Sequence, residues 1–126
     1  YEVGNDAKTV LLYFRAGCSW CKKQMPYWKE LVTKVDQSKF KIKALTADEN
    51  ADEIKEYVST YNINSWDVRS LKKENAEKAE LSGTPTTVVI DNSGKVEKIW
   101  VGMWNENEAI DAGKYFNVSF TPVKIQ

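Results

Sequence analysis

Val10-Leu11-Leu12-Tyr13-Phe14-Arg15-Ala16-Gly17-Cys18-Ser19-Trp20-Cys21 reads as a strand that turns into a helix through a pair of cysteines. Val10 to Phe14 is a continuous apolar run, the pattern of a strand buried on both faces. Ala16-Gly17 turns the chain. From Ser19 to about Val35 the spacing becomes helical, with Met25, Trp28, Leu31, Val32 and Val35 on one stripe. Pro26 falls inside this helix and predicts a kink. Met25 and Trp28 read as core packing.

The two cysteines are the only ones in the chain. If Cys18 stands at the first turn of the helix, Cys21 lies one turn on, on the same face. Helix positions three apart have Cβ atoms about 5–6 Å apart. A disulfide needs Cα atoms about 4.4–6.8 Å apart, so the pair can open and close without unwinding the helix. The two sulfurs then differ. Cys18 meets outward-pointing N–H groups and the positive end of the helix dipole, which favour a thiolate. Lys22 and Lys23 add positive charge nearby. Cys21 sits a turn inside, beside apolar residues, and should be less exposed and less reactive. One attacking and one resolving sulfur is what thiol–disulfide exchange requires. Two other readings stand beside this one: a structural disulfide closing a tiny loop, and a metal site. The metal reading is the weakest, because zinc wants four Cys or His ligands and this chain has no His.

The chain has 126 residues, enough for one core, and it reads as a single domain over 1–126, with 1–8 a lead-in and 117–126 a tail. Hydrophobic residues at 42% and charged residues at 29% fit a globular domain. Net charge is zero, which gives no reason to expect nucleic acid or an anionic membrane as partner. No apolar run approaches the roughly 20 residues of a membrane helix. No stretch reads as a signal peptide. The chain starts at Tyr1 rather than Met; export, loss of an anchor and a cloning decision all fit that start.

Further along, Phe40 to Ala47 alternates weakly and reads as a second strand. Asp48-Glu49-Asn50 breaks it. Asp52 to Tyr61 reads as a helix with Ile54, Tyr57, Val58 and Tyr61 on one face. Asp48, Glu49, Asp52 and Glu53 read as its solvated acidic start rather than as a cation site. Ser65 to Val68 suggests a short extended piece, and Leu71 to Leu81 a charged surface helix. Gly83-Thr84-Pro85 turns into a β-branched strand, Thr86 to Ile90. Asp91-Asn92-Ser93-Gly94 is a hairpin turn to a partner strand, Val96 to Val101. Gly102 ends it, and Asn105 to Phe116 reads as a last helix. This order predicts an α/β fold whose first strands are joined by right-handed helical crossovers.

Three stretches together resemble the thioredoxin superfamily, and within it the TlpA/ResA-like thiol–disulfide oxidoreductases. They are Leu11 to Cys21, then Lys22-Lys23-Gln24-Met25-Pro26, and then Gly83-Thr84-Pro85-Thr86-Thr87 with its strand, Asp91 to Gly94 turn and second strand. The likeness covers roughly Thr9 to Tyr115. It implies a thioredoxin fold, a central mixed sheet flanked by helices. It implies catalysis by Cys18 and Cys21 without a cofactor. It implies a cis Thr84–Pro85 bond lying against the cysteines, with the backbone of Thr84 exposed beside Cys18 to receive an extended peptide. Trp20 either offers partners an apolar surface or folds against the domain. The chain departs from the family at three places. Leu12 stands where thioredoxin has a buried Asp. Gln24 stands where ResA-like proteins have a Glu. Gly17 replaces the usual Trp. Neither Leu12 nor Gln24 can accept a proton. The resemblance further implies an extracytoplasmic monomer that reduces disulfides of client proteins and draws on an upstream thiol donor. An oxidase or isomerase running the same sulfur chemistry the other way, and a thioredoxin-like interaction module with a structural disulfide, remain open.

Overall fold

The computed structural model describes residues 7–72 and 83–121. Strand β1, Lys8–Phe14, is the middle of a five-stranded sheet. Helix α1, Ser19–Lys34, carries the chain to β2, Phe40–Thr46. Helix α2, Ala51–Tyr61, leads to a short 3-10 turn, Asn64–Trp66, and to β3, Arg69–Ser70. Strands β4, Thr86–Ile90, and β5, Val96–Val101, form the hairpin, and α3, Glu106–Phe116, follows. The strand order is β3-β2-β1-β4-β5. β1 pairs parallel with β2 and antiparallel with β4. This is the mixed α/β thioredoxin fold, with three described helices about the sheet.

The alternating side chains of β1 divide the core in two. Val10, Leu12 and Phe14 join the larger cluster with Cys21, Met25, Trp28 and Leu31 of α1 and Ala112 and Phe116 of α3. Phe14 stacks on Tyr57 of α2, ring centroids 4.9 Å apart. Leu11 and Tyr13 belong to a second cluster with Leu45, Val88 and Ile90. The buried indole N–H of Trp28 donates to the Thr87 hydroxyl at 2.9 Å, fixing α1 to β4. Burial of a Trp contributes on the order of a few kcal/mol, and the bond leaves its one polar atom satisfied.

Each helix start has a local cause. Cys18 caps α1 through its sulfur, Asn50 caps α2, and Asn105 with Glu108 forms a capping box on α3. α1 runs on through Pro26 as one helix. The expected extended piece at Ser65–Val68 is a difference: Ser65 and Trp66 lie in the 3-10 turn, and Asp67 adopts φ 52°. Burial of Trp66 accounts for it, since the tight turn tucks the ring into the core. The expected surface helix over Leu71–Leu81 lies, from residue 73 on, outside the described residues.

Both sheet edges are short or interrupted. β3 has only two residues. β5 pairs with β4 through a register irregularity at Val89/Ile90, and its outer surface exposes Val96, Ile99 and Val101 beside Glu97 and Lys98.

Candidate active site

Cys18 is the N-cap of α1, in extended conformation, and its sulfur accepts the backbone N–H of Cys21 at 3.1 Å. The two cysteines are joined in a disulfide with Cα atoms 5.2 Å apart. Strand β1 ends at Phe14, four residues before, so the sheet sets where the helix begins. Burial differs between the two: Cys21 is fully enclosed, while Cys18 keeps a small opening at 5% exposure. Of the two residues, Cys18 alone keeps any surface open to the outside.

The second wall comes from the turn before β4. The Thr84–Pro85 peptide is cis. The Thr84 carbonyl oxygen lies 3.5 Å from the Cys18 sulfur. The Thr86 hydroxyl donates to the Gly83 carbonyl and tightens the turn. From the hairpin's far end, the Gly102 N–H donates to the Pro85 carbonyl at 2.7 Å. Gly102 has φ +85°, a conformation that any side chain would strain. Thus Thr84-Pro85 and residues 102–105 form one continuous wall.

Between this wall and α1 runs an open groove of about 370 Å³, lined by Trp20, Thr84, Pro85, Gly102, Met103, Trp104 and Asn105. Trp20, one of two alternatives in the sequence, is half exposed and lines the groove rather than joining the core. The Lys23 ammonium lies 4.5 Å from its ring centre, which steadies the indole. So the structure brings together Cys18, Cys21, Trp20, Thr84 and Pro85. Met103 and Trp104 belong with them and were not singled out by sequence. An aromatic between a glycine and a helix cap is the signal that would have found Trp104.

Two polar residues behind the pair also have positions that the sequence did not reveal. Asp48 is no solvated helix start. Its carboxylate accepts the Ala16 N–H at 2.7 Å and the Thr46 hydroxyl at 2.6 Å, and its carbonyl accepts the Ser70 hydroxyl. It ties the turn before Cys18 to the end of β2. Gln24, one turn beyond Cys21, is fully buried, and its side-chain carbonyl accepts the Trp104 N–H at 2.8 Å. Leu12 is fully buried too. Among the described residues no three His, Cys, Asp or Glu side chains come together as a metal site.

The sequence model of the thioredoxin-like family matches residues 6–96. A curated relative, the thiol-disulfide oxidoreductase ResA of Bacillus cereus, is 32% identical over 90 residues, 71% of this chain and 52% of that protein. The chain spans about half the length of the curated relatives it matches. Among solved structures, the thioredoxin domain of a thiol-disulfide oxidoreductase from Bacteroides vulgatus superposes with a TM-score of 0.73 at 21% identity, covering 89% of this chain and 81% of that one. StoA from Bacillus subtilis gives 0.69 at 16% identity, covering 89% and 84%. At these identities the superpositions establish the fold.

Proposed function

Because the chain belongs to the thioredoxin-like family, we propose that it is a thiol–disulfide oxidoreductase whose working pair is Cys18 and Cys21. The observation that carries this reading is the setting of the pair: a disulfide at a helix N-terminus, with Cys18 the more exposed of the two residues and the Thr84 carbonyl beside it. The relatives named as thiol-disulfide oxidoreductases support it.

In the reduced protein the Cys18 thiolate attacks one sulfur of a substrate disulfide. That S–S bond breaks, a mixed disulfide forms, and the departing substrate sulfur takes up a proton. Cys21 then loses its proton to water and attacks the Cys18 sulfur. The second substrate thiol leaves, and two electrons have passed from the protein pair to the substrate. Leu12 and Gln24 take no part in the proton's path. The substrate's backbone lies extended along Thr84-Pro85, with an apolar side chain against Trp20.

The substrates in this reading are disulfides of extracytoplasmic client proteins, the donor is an upstream thiol protein, and the domain works as a monomer. Among the described residues no helix is long and apolar enough to cross a membrane.

Replacing Cys21 by Ser should leave Cys18 able to attack and nothing to resolve the product. Covalent complexes with client proteins should accumulate on a non-reducing gel and vanish with dithiothreitol. Replacing Cys18 by Ser should capture few. Equal capture by both variants, or by neither, refutes the assignment; a structural disulfide predicts only lost stability. A redox titration against glutathione or dithiothreitol buffers then gives the direction, since about 30 mV corresponds to ~1.4 kcal/mol for this couple.

A further inference from the structure

We propose that Gln24 is a positioning residue that sets the shape of the groove by holding its far wall to the redox helix. The proposal rests on the reading of Cys18 and Cys21 as a redox pair. It starts from a contact between elements far apart in sequence: the side chain of Gln24 on α1 and the backbone of Trp104 after β5. Both residues are fully buried. Gln24 and Cys21 are one helical turn apart, so the position of the wall is referred to the same turn that carries the resolving sulfur.

The segment 102–105 is held at three points. Gly102 donates its N–H to Pro85, Trp104 donates its N–H to Gln24, and Asn105 caps α3. The Trp104 ring is gripped separately, by Tyr27, Trp100 and Phe120 at centroid distances of 5.5, 5.7 and 5.4 Å. What the aromatic cluster does not fix is the direction of the peptide between Met103 and Trp104. Among the described residues, the acceptor that meets its N–H is the Gln24 carbonyl. A buried N–H without a partner is costly and seeks another acceptor. With the carbonyl gone, the polar exit open to this N–H is the groove that Met103 and Trp104 line. Turning that peptide outward puts a polar group, and a displaced Met103 side chain, where an apolar substrate side chain must lie.

The choice of Gln over a carboxylate fits this role. The surroundings are largely apolar, and the Gln24 amide nitrogen and the Trp104 indole nitrogen find no acceptor among the described residues. A charged group in such surroundings is disfavoured, so a carboxyl would be pushed toward its neutral form. An amide holds its carbonyl on the Trp104 N–H at every pH.

The test is a single-turnover measurement with the reduced full chain. One substrate is a disulfide-bonded peptide with a leucine next to one cysteine; the other is hydroxyethyl disulfide, too small to fill the groove. Gln24→Leu keeps the volume and removes the acceptor. Its half-saturating concentration for the peptide should rise about tenfold, the scale of one lost buried hydrogen bond, with the limiting rate within about twofold of wild type. The rate with hydroxyethyl disulfide should fall no more than the limiting rate does. Gln24→Glu supplies the rescue: its carboxyl keeps an oxygen for the Trp104 N–H, so half-saturation should stay within about twofold of wild type. Wild-type half-saturation in Gln24→Leu overturns the proposal, as does a loss of limiting rate shared by both disulfides, which marks a merely structural role. If Gln24→Leu does not fold, Gln24→Met is measured in its place, and wild-type half-saturation there overturns the proposal. Failure of the wild-type protein to exchange even with hydroxyethyl disulfide overturns the redox reading itself, a result distinct from any of these.

Discussion

Replacing Asp48 by Ala should destabilise the fold by about 2–4 kcal/mol, although Asp48 looks in sequence like one acid among several at a helix start. Its carboxylate receives two short bonds, from the Ala16 N–H at 2.7 Å and the Thr46 hydroxyl at 2.6 Å. Bonds to a charged group contribute about 1.5–3 kcal/mol each, and the sum is lowered here because the site is only partly buried and water can reach the freed N–H. Asp48→Asn keeps an oxygen for both donors and loses only the charge, so it should cost about 1 kcal/mol. Urea unfolding of the oxidised protein measures both. With m of about 1.5 kcal/mol/M, the Ala variant should unfold roughly 2 M earlier at unchanged slope. The same loss should appear in the reduced protein, since the anchor acts on the turn at Ala16 and not on the sulfurs. A solvated surface acid predicts a change within about 0.5 kcal/mol. An Ala variant in that range, or an Asn variant as costly as Ala, refutes the anchor.

Trp28→Phe removes the bond to Thr87 and leaves space in the core, so it should cost about 2–3 kcal/mol by the same unfolding measurement. Iodoacetamide alkylation of the reduced protein against pH should give Cys18 a midpoint below the ordinary thiol value of about 8.5 and leave Cys21 slow; a Cys18 midpoint at or above that value removes the activated thiolate. Lys8, and then the Tyr115 hydroxyl, hold the Glu97 carboxyl below its usual range. A folded value below the unfolded one means that this stabilisation is present above the unfolded carboxylate pKa and is lost as pH falls through the folded value. The stability gap between wild type and Glu97→Gln should therefore hold steady above about pH 5 and close below about pH 4. Being near the surface, the pair should contribute at most about 1 kcal/mol.

The parts of the fold that local chemistry dictates were legible in the sequence. Val10–Phe14 carries the pattern of a buried strand, and the apolar stripe from Met25 to Val35 that of a helix face. The Cys18/Cys21 spacing showed that a disulfide could close across one helical turn, with a metal site as the weaker reading. Thr84-Pro85 was placed beside Cys18 by resemblance rather than by pattern. What escaped depends on pairings distant in the chain. Asp48 reaches Ala16 only because Phe14 lies opposite Thr46 in the parallel pair β1/β2. Gln24 meets Trp104 across 80 positions. At Trp66, extended propensity gave way to burial of one large ring. Trp20 could have gone either way, since its neighbours Lys23 and Pro85 come from different elements.

The edge strand β5 also bears on how the protein keeps apart from its own copies. Val96-Glu97-Lys98-Ile99-Trp100-Val101 is an amyloid-prone hexamer but for two charges at its second and third positions. Among the described residues no strand pairs with its outer edge, and such an edge offers N–H and C=O groups to any strand that arrives; three of these side chains are exposed and apolar. Glu97 and Lys98 are thus gatekeepers as well as ion-pair members, engaged with Lys8 and Asp111 respectively. Replacing both by Val would leave six unbroken β-forming residues along the rim of the sheet, and light scattering on gentle warming should then report fibrillar aggregation well below the unfolding transition.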